Sequence, residues 1–151
     1  MRTFSMSRST LAVWGLAAIL LAIPVNANAN NTQLLGLMQG TWKAALSGNT
    51  GCGVTSAFVT FTLDANGSGA GTAKVVMHST GCVNKVITAQ DFSIDTLGSG
   101  GTGTAHLTCG VGCAWAFMIQ VEDTGKVFIL TDVNAGNPQN TPTGTAIRTI
   151  Q

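Results

Sequence analysis

Four cysteines, two histidines and six carboxylates hold most of the side-chain chemistry available to this sequence. The cysteines recur in one setting: Thr50-Gly51-Cys52-Gly53, then Thr80-Gly81-Cys82, then Thr108-Cys109-Gly110-Val111-Gly112-Cys113. Two chemistries fit such a pattern. An even number of cysteines in an exported chain reads first as disulfides. The sharper alternative is a metal cluster, because His78 and His106 each precede a cysteine. Zinc would need four thiolates or imidazoles converging on one point, and the tight C-x-x-C spacing is absent. No metal ligand set is therefore assigned.

Catalysis finds little support. No histidine stands near a plausible nucleophile in the sequence, and there is no phosphate loop or metalloprotease motif. Asp91 and Asp95, four apart on one strand, read as a solvated face rather than a working carboxylate pair. The expectation is a protein that is not an enzyme and that needs no cofactor.

The positioning elements begin after residue 29. Arg2 and Arg8 form a basic start, residues 11–24 an apolar stretch too short to span a membrane, and Ala27-Asn28-Ala29 a small-x-small cleavage site. Residues 1–29 thus read as a secretory signal peptide and residues 30–151 as a single domain, secreted or periplasmic. From residue 30 onward, five bases (Lys43, Lys74, Lys85, Lys126, Arg148) face six acids (Asp64, Asp91, Asp95, Glu122, Asp123, Asp132). That balance supplies no basic patch for nucleic acid or for an acidic membrane.

Residues 30–38 group Leu34, Leu35, Leu37 and Met38 and read as one helical turn. Beyond Gly40 the apolar period is two, the signature of strands. Eight are expected, over 40–46, 54–63, 71–78, 85–96, 103–109, 113–121, 126–133 and 144–150. Trp42, Val59, Phe61, Ala73, Val75, Met77, Leu107, Trp115, Phe117 and Ile119 fall on inward faces. In the fourth strand Val86, Thr88, Gln90, Phe92 and Ile94 mark the dry side and Asp91, Ser93 and Asp95 the wet side. The seventh strand is almost continuously apolar, so its faces stay unassigned. Short, evenly spaced strands without intervening helices predict an all-β fold. The expected architecture is an eight-stranded antiparallel up-and-down barrel, with a meandering β-sandwich as the alternative. A membrane barrel is not expected: there is no Tyr for an aromatic girdle, and outward positions carry Lys and Asp.

Register connects the strands to the cysteines. Centring the second hairpin on Gly67 pairs Val59 with Val75, Ala57 with Met77 and Phe61 with Ala73, inward against inward. The same register sets Cys52 opposite Cys82. Centring another hairpin on Val111 pairs Leu107 with Trp115, Ala105 with Phe117 and Cys109 with Cys113. Directly opposed residues lie within disulfide reach, which predicts Cys52–Cys82 and Cys109–Cys113.

Gly40-Thr41-Trp42, opening the first strand after a helical turn, resembles the G-x-W signature of lipocalins and related calycin barrels. The resemblance implies that Trp42 plugs the closed end of the barrel and that a basic residue of the last strand, Arg148, packs across it. Such a cation–π contact would stabilise by about 0.5–2 kcal/mol. It also implies that the end bearing all four cysteines is the open mouth. A small apolar ligand would then meet Phe61, Met77, Gln90, Phe92, Trp115 and Phe117, with Gln90 orienting it. The plainer alternative is a barrel packed solid with these same side chains, a structural or protein-interaction domain without a cavity. The sequence leaves the oligomeric state open.

Overall fold

The computed structural model describes residues 31–50, 52–108, 114–133 and 141–149. The proposed signal peptide and the pair Cys109 and Cys113 lie outside these residues. Helix α1 (Asn31–Met38) leads into strands β1 (Gly40–Asn49), β2 (Val54–Leu63), β3 (Ser68–Ser79) and β4 (Lys85–Leu97). These are followed by β5 (Thr102–Thr108), β6 (Ala114–Val121), β7 (Val127–Asp132) and β8 (Thr143–Arg148). Each strand pairs with its sequence neighbour, and β8 pairs with β1, closing an antiparallel barrel. Closure is tight on that seam: a Cβ on Gly144 would stand 1.9 Å from the Ala45 carbonyl oxygen, so a larger residue there would force the two strands apart.

Inward residues follow the pleat. Trp42, Ala44 and Leu46 of β1 alternate with exposed neighbours, as do Ala57, Val59, Phe61 and Leu63 of β2. β7, whose faces the sequence leaves open, directs Phe128 and Leu130 inward and leaves Ile129 exposed. Trp42, Phe61, Phe92 and Phe128 form one aromatic block. Phe61 stacks on Phe92 with ring centroids 4.0 Å apart, and Trp42 tilts against Phe128 at 4.7 Å.

α1 seals this end. It is a two-turn helix, longer than the single turn expected, and buries Leu34 and Met38 against the block. Short helices are marginal alone, so this one depends on its packing and on its terminal carbonyls being satisfied. The Trp42 indole Nε1–H donates to the Met38 carbonyl at 2.7 Å. Arg148, directly opposite Trp42 in the β1–β8 register, donates from Nη1 to the Leu37 carbonyl and, at 3.4 Å, to that of Gln39. The contacts of this guanidinium are thus with the helix end, where a cation also opposes the negative pole of the helix.

The expected alternation fails in β4. Val75 pairs with Ile87 and Val76 with Val86, so Ile87 faces in while Val86 is 63% exposed. Ala89 has φ +55°, the one described non-glycine residue in the left-handed region, and the register shifts there. The extra residue is a β-bulge. It returns Gln90 to the inward side, opposite Ala73, and Phe92 and Ile94 follow. Val86 and Thr88 therefore belong to the outer face. A second shift after Ile94 turns Leu97 inward.

The β2–β3 turn is held by one carboxylate. Asp64 Oδ1 accepts the backbone N–H groups of Asn66 and Ser68, each at 2.8 Å. These bonds, Ser68 first, lower the carboxyl pKa below the ordinary Asp value. A lowered folded-state pKa contributes stability above the unfolded-state pKa, and that contribution is lost as pH falls through the folded value. Urea unfolding across a pH series should show Asp64→Asn less stable than the parent at pH 7, with the gap closing in acid. A pH-independent gap would contradict this account of the turn.

Candidate functional site

The β1–β2 and β3–β4 turns lie at the end opposite α1, where β5 and β7 also end and β6 and β8 begin. Cys52 and Cys82 join these two turns, with Cα atoms 5.2 Å apart. Register sets this bridge up: Thr55 pairs with Ser79, Ala57 with Met77 and Val59 with Val75, and the same pairing carried past the strand ends meets at the two cysteines.

The repeated Thr-Gly-Cys pattern has a physical basis at this corner. Gly81 N–H donates to the Cys52 carbonyl at 2.7 Å, and Thr80 N–H to that of Val54 at 3.1 Å. A Cβ on Gly81 would stand 2.6 Å from the Cys52 oxygen, so the two loops can meet only at glycine. Gly53 is similar, with φ +82° and the Thr80 hydroxyl 2.5 Å from where its Cβ would be. Thr50 and Thr55 share a hydroxyl–hydroxyl bond of 2.6 Å, and Thr55 is 2% exposed.

The six side chains read from the sequence as ligand contacts fall into three pairs. Phe61 and Phe92 belong to the aromatic block, together with Phe128, which sequence reasoning missed. Trp115 and Phe117 meet edge to face at 6.5 Å higher in the barrel and are almost fully buried. Met77 and Gln90 are half-buried although both face inward. Ile87, brought inward by the phase change in β4, joins them, and both Met77 and Ile87 pack against the core. Gln90 donates from Nε2 to the Thr88 carbonyl at 2.8 Å. Asp132 also stands on the inward side near this end, opposite Phe117 in the β6–β7 register. The inward positions that retain exposure thus gather toward the disulfide end. A groove of about 350 Å³ along the β6–β7 hairpin, lined by Gln120, Glu122, Val127 and Ile129 among others, lies at the helix-capped end and touches none of the six.

On the outer wall, His106 Nδ1 lies 2.6 Å from Asp95 Oδ1, and Ser93 pairs with His106 across β4–β5. The sequence does not bring these three together, because the second β4 shift sets Asp95 beside His106. Both members of the His–Asp contact are more than a third exposed, and among the described residues Ser93 makes no hydrogen bond to the imidazole. Among the described residues no three His, Cys, Asp or Glu side chains are grouped to hold a metal ion. No described helix is long and apolar enough to cross a membrane.

No protein-family model, curated protein or solved structure matches this chain.

The bridge closes a loop with a sequence separation of 30 residues. The chain-entropy argument gives it about 3–4 kcal/mol. Paired Cys52→Ser and Cys82→Ser replacement should lower the urea-unfolding free energy by about that amount while leaving a folded barrel. A loss under about 1 kcal/mol would show that hydrogen bonding between the two loops already supplies the constraint.

Proposed function

We propose that the protein is an exported, disulfide-stapled barrel of lipocalin-like build that binds a small, largely apolar molecule inside its disulfide end. One observation carries the reading: Met77, Ile87 and Gln90 face the interior yet keep partial exposure, while the inward positions below them are sealed. Two apolar side chains beside one amide suit a ligand that is mostly hydrocarbon with one polar group. Such a site gains affinity from apolar area and orientation from the polar contact. Export is supported by the Cys52–Cys82 bridge, since disulfides persist in oxidising compartments.

A second reading has its own observation. The stacked block of Trp42, Phe61, Phe92 and Phe128 fills the lower barrel, as a structural or interaction domain with a solid core would require. Titration of apolar fluorescent probes against the intrinsic Trp signal separates the two. Ligand binding predicts a saturable change at one probe per chain that disappears in Trp115→Phe. Met77→Glu should weaken binding about tenfold or more while thermal unfolding stays close to the parent. No signal change up to the probe's solubility limit would sink the ligand reading in favour of the filled domain.

A further inference from the structure

Closure sorts charges that the linear sequence leaves scattered. β8, β1, β2 and β3 are consecutive in the barrel wall. Their residues 143–148, 40–49, 54–63 and 68–79 contain no Asp or Glu. The acids lie elsewhere: Asp91 and Asp95 on β4, Asp132 on β7, and Glu122 and Asp123 just after β6. Asp64 borders this wall, but it is tied into the β2–β3 turn by the N–H groups of Asn66 and Ser68.

The same wall carries cations on its outer face. Lys43 pairs with Thr60, and Thr60 with Lys74, so the two exposed lysines share one outer row. Two strand spacings separate them, roughly 10 Å. At the flank of this row Lys43 also pairs with Ile147 of β8, itself exposed. The next outer row, two residues toward the disulfide end, is apolar: Ala45 pairs with Phe58, and Phe58 with Val76. Phe58 is 63% exposed and stands on the strand between the two lysines. Packing inside the barrel does not account for it, because it lies on the opposite face of β2 from Val59 and Phe61.

A surface with lysines and no carboxylate complements an anion. Shape and the apolar side chains select which one. The outside of a barrel is convex, so Phe58 and Ile147 project from it instead of lining a groove. A bilayer surface is soft enough to take such side chains at headgroup level while its phosphates meet the ammonium groups. A soluble polyanion would use the lysines and leave Phe58 and Ile147 in water.

We propose that the β8–β1–β2–β3 wall docks on an anionic lipid bilayer, with Phe58 and Ile147 in the headgroup layer and Lys43 and Lys74 on lipid phosphates. The contact is peripheral, since the polar outward residues Thr60, Ser47 and Ser56 keep the wall at the surface. The barrel then lies on its side with both ends clear of the bilayer. Docking is therefore independent of the ligand reading, because none of its contacts lies inside the barrel.

Pelleting of the oxidised, folded protein with vesicles tests it. One set holds phosphatidylglycerol and phosphatidylcholine in equal amounts, the other phosphatidylcholine alone. The expected result is binding to the anionic vesicles that weakens as salt is raised, with background levels on the neutral ones. Lys74→Glu and Phe58→Ser should each weaken it about tenfold. Both side chains are exposed, so thermal melting should stay close to the parent. Met118→Glu combined with Gln120→Glu makes the same change in net charge on β6, across the barrel from β2, and should bind as the parent does. Equal pelleting with the two vesicle types, no pelleting at all, or an equal loss in the β6 variant would each overturn the inference. Binding that needs Lys74 but ignores Phe58→Ser would also overturn it and assign the wall to a soluble polyanion.

Discussion

Phe61 lies flat on Phe92, with Trp42 and Phe128 against the same pair, and most of the barrel can be understood from that contact. Four large rings on four strands (β1, β2, β4 and β7) tie opposite walls of the cylinder together. Each ring removes roughly 150–250 Å² from water, and offset or tilted pairs add about 0.5–1.5 kcal/mol beyond that area. Because the rings fill the lower interior, the helix-capped end can close over them. The indole of Trp42 belongs both to this block and to the helix, through its bond to the Met38 carbonyl. Arg148 supplies the matching bonds from the neighbouring strand, so the last strand, the first strand and α1 meet at a single corner.

The other end is built differently. Inward there stand Leu46 of β1 and Ala57 of β2, both buried, and Gly144 of β8 allows β1 and β8 to approach. Rigidity comes from backbone bonding between two glycine-bearing loops and from one disulfide. One end is therefore stiffened by side-chain volume and the other by covalent and hydrogen-bonded loops. Within that end, Trp115 and Leu107 are buried while Met77 and Ile87 keep partial exposure.

Much of the architecture was legible in the residues. Period-two alternation in 54–63 and 113–121, together with the turn chemistry at Asp64–Gly67, defines hairpins whose register the structure keeps, including the opposition of Cys52 and Cys82. What escaped has a specific cause. A bulge changes the strand phase without the glycine that usually announces it, so the inward place of Ile87 was hidden behind Val86 and Thr88. The trace in the sequence is that Ile87 is more apolar than either neighbour assigned inward. Phe128 escaped because both faces of β7 read as apolar, and only pairing with β8 decides which of Phe128 and Ile129 turns in. The helix-directed contacts of Arg148 depend on where the helix ends, which local sequence does not fix.

The account's central claim is a division of the interior, sealed below by the aromatic block and reachable above at Met77 and Ile87. Methyl-resolved NMR during titration with a small apolar probe tests it most directly. The Met77 and Ile87 methyl signals should shift saturably, while those of Leu34 and Leu63 beside the block stay in place. Shifts that begin at Leu34 and Leu63, or no shift at Met77 and Ile87 at probe saturation, would contradict it.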